Sequence, residues 1–517
     1  MGWMKCYPRA LENRYKRHDE AVHADRHAFI RAAILNFLQL QLLFLAVFSY
    51  VFGAIWQQSG HTHNLHILYV DYDGGVVGQA VRDAYTSLHA DDFPTLVERQ
   101  VAEYPSSEDL QPAVCDKTSY WAALFAAPGA SIRLDATLRG LINATAYNKS
   151  DVLTFIWNEA KYPTVVDSAI AGNMQKLSDA ARNAYIAANG SDALQHLTCE
   201  ACSSPSAVSV FAEPWVLSDV NLQKTTQGSR IIYNTLVVLL LLIQEFFYLG
   251  TINGLYAKFR IASRLHPMSI ALVRLIISLA YTLVGSVATS GAIWAFRAGW
   301  NVSASQFVLT WLTLWLFAHV NFLTLDLFTV WLPASYVPMA LITWAMINLS
   351  SILVPFELVP AFYHWMYALP AHEAFQVLVH VWSNGCNPQL QHALPVLFAY
   401  EVVGVGMSIL GSWRRCHYAV IAEEVQEKAL QRRVDERLAA TRRVEELASR
   451  GEDKSLSEAG VQEEAQDVVP REEQRELRRL ETVASRATTL GPSFDLAVDF
   501  VWCNPRRWTE LHRRQNS

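Results

Sequence analysis

A chain of 517 residues that is 52% hydrophobic and only 17% charged, with a mean hydropathy of +0.13, is too apolar for an ordinary soluble protein and requires a bilayer. Its formal net charge of -6 is unevenly distributed and gives no sign of nucleic acid as a ligand. Seven cysteines are too few to build a disulfide-stapled fold, so packed helices and apolar burial must supply the core.

Residues 1–31 mix Lys5, Arg9, Arg14, Lys16, Arg17, Arg26 and Arg31 with fewer acids and are expected in the cytosol. The apolar run that follows, 32–56, exceeds the about 20 helical residues that cross a hydrocarbon core of roughly 30 Å and reads as an uncleaved signal anchor. Residues 57–230 are then delivered to the far side. They hold no spanning run but show the rhythm of an extracytoplasmic α/β domain. LHILYVDYD, PTLVERQV, YWAALFA and VLTFIW read as strands, and GGVVGQAVRDAYTSL, SEDLQPAV and SIRLDATLRGLI as turn-helix or helix. Helical spacing from Val165 to Asn189 is expected to end at the breaker pair Asn189-Gly190.

Further spans are predicted at about 231–252, 268–295, 305–331, 337–356 and 393–412, which completes the unit 231–412. The fold class is therefore a polytopic α-helical membrane protein of about six transmembrane helices, with the large α/β domain between helices 1 and 2. Lys258, Arg260, Arg264, Arg414 and Arg415 fall on the cytosolic side of this scheme, and Arg297 falls outside against the rule. The segment 357–392 is rich in aromatics, is broken by Pro360 and Pro370, and is expected at the outer interface, dipping in or lying as a plain loop. Residues 413–517 form a charged cytosolic tail. Val434, Leu438, Thr441 and Leu447 lie near one helical face, and acids dominate from Gly451 to Gln474, where disorder is expected.

Three stretches, LHILYVDYDGGVVGQAV, YWAALFAAPGASIRLDATL and PFELVPAFYHWMYALPAHEAFQVL, resemble the fungal nitrosoguanidine-resistance membrane proteins. That family is similar in plan to phage-infection proteins and, more distantly, to type-2 ABC exporter permeases. The resemblance covers roughly residues 30–415. It implies a single helix, an external domain and five further helices, together with an association with drug or mutagen resistance.

Nucleotide chemistry finds no motif. A phosphate loop is absent, and GGVVGQAVR lacks the GxGxxG spacing, its glycines reading as a tight strand-to-helix turn. No nucleophile stands in a catalytic setting, so no enzyme activity and no cofactor are expected. Ionisable residues inside spans carry a cost of roughly 2.5–3.5 kcal/mol that usually reflects function or pairing. Glu245, Asp326 and Glu401 are the candidates, each open to a proton relay or a structural hydrogen bond between helices. His319 accompanies them, whereas Arg274 is expected to snorkel to the cytosolic interface.

Cys115, Cys199, Cys202 and Cys386 fall on the oxidising side as disulfide candidates whose pairing is open, while Cys6, Cys416 and Cys503 should stay reduced. The CxxC of Cys199 and Cys202 lacks the second pair that a zinc site needs, and the histidines from His61 to His66 read as a polar linker rather than a metal site. Asn143, Asn148 and Asn189 open glycosylation sequons in the external domain. Asn301 lies too near a span for use, and Asn348 lies within one. The expected function is transport of an amphipathic or lipid-like compound across the plasma membrane or another secretory-pathway membrane, with both termini cytosolic. The partners expected are the lipid bilayer, a hydrophobic or amphipathic small molecule and, left open, further copies in a homo-oligomer. The rival classes are a non-transporting scaffold and an accessory subunit of a separate ATPase.

Overall fold

A computed structural model describes residue 20 and residues 23–116, 119–142, 144–197, 205–225, 237–297 and 300–449. Cys6, Asn143, Cys199, Cys202, Cys503 and the acidic stretch from 451 to 474 lie outside the described residues.

The first helix, α1 (His23–Ala54), begins nine residues before the expected span, because Arg26 and Arg31 are good helix formers. It is apolar all round, exposes Phe29, Phe37, Leu42 and Phe52, and has the length and composition of a lipid-facing span. Its last turns meet the remainder of the protein through Tyr50, which packs edge-on to Tyr363.

The α/β unit follows. β1 (His66–Asp71), β2 (Thr95–Arg99), β3 (Ala122–Ala126), β4 (Leu153–Trp157) and β5 (Ser218–Asn221) form one sheet in the order β2-β1-β3-β4-β5. All neighbours are parallel except β3 and β4. The central strand β1 buries both faces, which is why it reads as a continuous apolar run. Ile67, Tyr69 and Leu124 face α2 (Val76–Leu88), α4 (Ala130–Leu138) and the long α5 (Asn173–Leu197). On the opposite face, Leu68, Val70 and Ile156 pack on Leu110 and Val114 of α3 (Leu110–Asp116). The expected break at Asn189-Gly190 does not occur, and α5 continues to Leu197. A helical glycine costs only about 1 kcal/mol, which burial of Ala193 and Leu197 in the core offsets. A further helix, α6 (Pro205–Ala212), precedes β5, and the sequence reading missed both.

Beyond the sheet come α7 (Val237–Lys258), α8 (Pro267–Ala295), α9 (Ala304–Trp331), α10 (Val337–Ser350), α11 (Pro370–Trp382) and α12 (Leu390–Ser449). Among the described residues, five helices, α1, α7, α8, α9 and α12, are long and apolar enough to cross a membrane, which makes the chain a multi-pass membrane protein set in a lipid bilayer. The expected fifth span, 337–356, is α10 alone. At 14 residues it is about 21 Å long, too short to cross by itself.

Two other expectations change. The segment 357–392 is not an interfacial loop throughout: Phe362 and Trp365 are exposed, but α11 is buried along nearly its whole length. Pro370 sits at its first turn, where the missing N–H is tolerated, so the proline starts a core helix. Nor does the chain change structure at Trp413, since α12 runs unbroken for 60 residues, about 90 Å, with Val434 and Leu438 exposed.

The sheet and the bundle share one core. Val237 and Leu241 of α7 and Phe375 of α11 belong to the same apolar cluster as Ile67 and Leu124. A disulfide joins Cys115 at the end of α3 to Cys386 after α11, and Asn158 donates to the Cys386 carbonyl at 3.2 Å.

Candidate functional site

The glycine-rich turn after β1 lies where the strand order reverses, the usual ligand crevice of a parallel sheet. Here the chain's own side chains fill it. Asp71 accepts from the backbone N–H of Asp73 and Gly74 and from Arg82, and Asp73 accepts from the backbone N–H and hydroxyl of Ser131. Gly78 is required because a Cβ there would come within 2.0 Å of the Asp71 carboxylate. Two carboxylates thus occupy the space that a phosphate would need. His61 and His63 lie against the backbone carbonyls of Gln57 and Asp91, and among the described residues no cluster of His, Cys, Asp or Glu is arranged to hold a metal ion.

Among the spans the ionisable residues converge on two layers. α9 and α12 run in the same direction, with His319 and Asp326 seven residues apart on one and Glu401, Ser408 and Arg415 at intervals of seven on the other. This spacing returns each residue to nearly the same helical face. Arg274 and Ser278, one turn apart on α8, complete both layers.

In the layer far from the sheet, Asp326 is fully buried between two guanidinium groups. Arg274 donates to Asp326 Oδ1 at 2.5 Å and Arg415 to the same oxygen at 2.6 Å. Asn253 accepts from Arg274 at 2.8 Å, Thr329 accepts from Arg415 at 2.7 Å, and the Ser408 hydroxyl donates to Asp326 Oδ2 at 3.2 Å. Arg274 therefore does not snorkel. It is 2% exposed and turned into the bundle, because a partnered guanidinium is better served there than by a reach to the interface. Arg415, read from the sequence as a cytosolic charge, is likewise buried, whereas Arg414 stacks on Trp331.

In the layer nearer the sheet, His319 Nδ1 lies 2.7 Å from Glu401 Oε1, and its Nε2 lies 3.0 Å from the Ser278 hydroxyl. The Ser278 hydroxyl also lies 2.9 Å from the Leu275 carbonyl, so it donates there or to His319 Nε2 according to the tautomer of the ring. The short contact between Nδ1 and Oε1 must contain a proton, whichever atom carries it. This hydrogen bond ties α9 to α12.

His319 and Glu401 line a cavity of about 600 Å³ whose walls are otherwise apolar, with Leu279, Trp315, Leu316, Leu394 and Phe398 among them. His380, bonded to the Asn387 carbonyl, also reaches it. Leu309, Leu312 and Phe398 at the rim are exposed, so the cavity opens on the apolar outside of the bundle. The arrangement can hold an amphipathic molecule and exchange a proton beside it.

Glu245 stands apart on α7, fully buried, with neither carboxylate oxygen hydrogen-bonded among the described residues. The three acids singled out by the sequence thus do not form one relay. Asp326 is a structural ion-pair centre, Glu401 faces a cavity, and Glu245 joins neither. The signal that could have joined Arg415 and Ser408 to them is the seven-residue spacing.

Of the other marked residues, Asn148 is exposed and caps a short turn at Ser150, whereas Asn189 sits within α5 and bonds the Tyr185 carbonyl. Asn348 is buried and accepts from the Ala371 backbone N–H.

A family model described as a protein of unknown function, DUF3533, matches residues 36–406. The match takes in the sheet, α7 to α11 and the His319–Glu401 pair, and it ends before Arg415.

Proposed function

Because the chain belongs to the DUF3533 family, whose description assigns no activity, we propose its function from the site: a transporter that moves an amphipathic or lipid-like compound in exchange for a proton. The observation that carries this reading is the 2.7 Å contact of His319 with Glu401 on the wall of a 600 Å³ mainly apolar cavity. The contact joins α9 to α12, so proton transfer at it would change the bond that closes this seam beside an entering molecule. Export of toxic compounds by this route would give resistance.

The proposed topology has six crossings, with the sheet unit outside and both termini in the cytosol of a plasma or other secretory-pathway membrane. The Cys115–Cys386 disulfide favours this, since such bonds persist in oxidising compartments. Lys258, Arg260, Arg264 and Arg414 at the opposite end of the bundle agree with it. Arg297, the exception, stacks on Trp294 at 4.1 Å.

The test uses purified protein in liposomes with labelled amphipathic amines and labelled phospholipid. Flux driven by an imposed pH gradient is expected, and Glu401→Gln or His319→Gln should each lower the gradient-driven part tenfold or more. Absence of flux under any gradient would instead favour the scaffold reading, for which the exposed charged faces of α12 beyond the bundle offer a binding surface.

A further inference from the structure

Charge accounting in the layer far from the sheet does not balance. Arg274 and Arg415 are 2% and 8% exposed and share one carboxylate, Asp326, which leaves one positive charge uncompensated in a low-dielectric interior. The same cluster is short of acceptors. Arg274 Nη1, Arg415 Nε and the Tyr256 hydroxyl are buried with no hydrogen-bond partner among the described residues, and the Arg274 guanidinium lies over the Tyr256 ring at 5.5 Å. Unsatisfied buried donors are rare enough to require an explanation. The excess charge calls for one further anion beside the pair.

Beside this cluster lies a cavity of about 290 Å³, the volume of about ten water molecules, lined by Tyr256, Arg260, Ser263 and Arg415. It opens at the end of the bundle remote from the sheet, where Lys258, Arg264 and Arg414 add to the positive field. One acid, Glu423, also lines it. Glu423 is eight residues beyond Arg415 on α12, roughly 12 Å along the axis, and bonds the Ser263 hydroxyl at 2.7 Å, so it does not neutralise Arg415.

We propose that this cavity is a binding site for one anionic phosphate group, carried by a lipid headgroup or free in solution, with Arg415 and Arg260 as its cationic contacts. The anion supplies the second negative charge that the Arg274–Asp326–Arg415 cluster lacks. The site is independent of the proton-exchanging pair, from which it is separated along α12 by the fourteen residues between Glu401 and Arg415, roughly 21 Å.

The experiment is native mass spectrometry of the purified full-length protein in detergent, titrated with phosphatidylglycerol or phosphatidylcholine, with inorganic phosphate as competitor. One equivalent of phosphatidylglycerol should be retained at least tenfold more tightly than phosphatidylcholine. Arg415→Gln should abolish that preference, since it leaves a balanced Arg274–Asp326 pair. Arg260→Gln, at an exposed position, should weaken it several-fold and keeps the test decisive if the Arg415 variant does not fold. Displacement of the lipid by millimolar phosphate assigns the site to a free anion, and resistance to displacement assigns it to a headgroup. Equal retention of both lipids together with no retained phosphate, or a preference unchanged in Arg260→Gln and in a folded Arg415→Gln, overturns the proposal.

Discussion

Asp326 holds three helices at one point, because Arg274 of α8 and Arg415 of α12 both end on its carboxylate from α9. Replacing it with Asn would leave two buried guanidinium groups without a counter-charge. Breaking a buried pair from one side costs about 3–5 kcal/mol, and the Asp326→Asn variant should unfold earlier by that amount in denaturant titrations in micelles. An unchanged midpoint would mean that the two arginines reach water. The residue types were legible in the sequence, but their pairing was not. Composition marks Arg274 as a charge near a span end and says nothing about which way the helix is rotated. Rotation is fixed by contacts with Asn253 and Asp326, 21 and 52 residues away in the chain. Glu401 was legible as an acid within a span. Its role beside a cavity depends on α11, which the sequence suggested as surface and which is in the core.

At the scale of elements, β1, β3 and β4 were legible as short apolar runs between turn residues, and β2 as the stretch TLVER after Pro94. β5, four residues with two of them exposed, carries no such pattern and is held by pairing with β4 and by the bond of Asn221 to Glu159. The contact of the sheet with the segment after α10 supplies a test of its own. Lys161, just past β4, is pushed down by burial to about 8, with Trp121 beneath it at 5.9 Å, and burial pushes the neighbouring Glu357 carboxyl up. The unfolded chain therefore takes up the Lys161 proton first as pH falls from 10.5, and stability drops until about 8, below which the full deficit persists. Glu357 acts in the other sense, stabilising at low pH and losing that contribution as pH rises through its folded value. Both groups are thus unfavourable near neutrality. Between pH 7.5 and 9.5, urea unfolding should show stability rising by about 1–2 kcal/mol, a figure reduced for partial screening, and Lys161→Met should flatten the rise. A rise that persists unchanged in the variant would place its origin elsewhere.

For the molecule as a whole, the question is how the chain returns from the end of α9 to the start of α12 when α10 is only about 21 Å long. α10 begins beside the C-terminal end of α9, remote from the sheet. Its exit is joined to the start of α11 through Asn348 to Ala371 and through Ser351 to His372, and α11 in turn touches the sheet unit. Residues 351–356 leave the helix, yet Ser351, Ile352, Val354 and Phe356 are buried in protein, the one setting in which non-helical backbone is tolerated at membrane depth. α10 and this stretch together can therefore complete a crossing that neither length nor hydropathy marks as one. Parity follows: six crossings put the sheet and the end of α12 on opposite faces, and five put them on the same face. Glycosylation reads this out. With a sequon appended to the C-terminus, Asn148 should be modified and the appended site should not, as endoglycosidase mobility shifts and an Asn148→Gln control would show. Modification at the appended site would mean that α10 turns back, which would put the end of α12 in the same compartment as the disulfide.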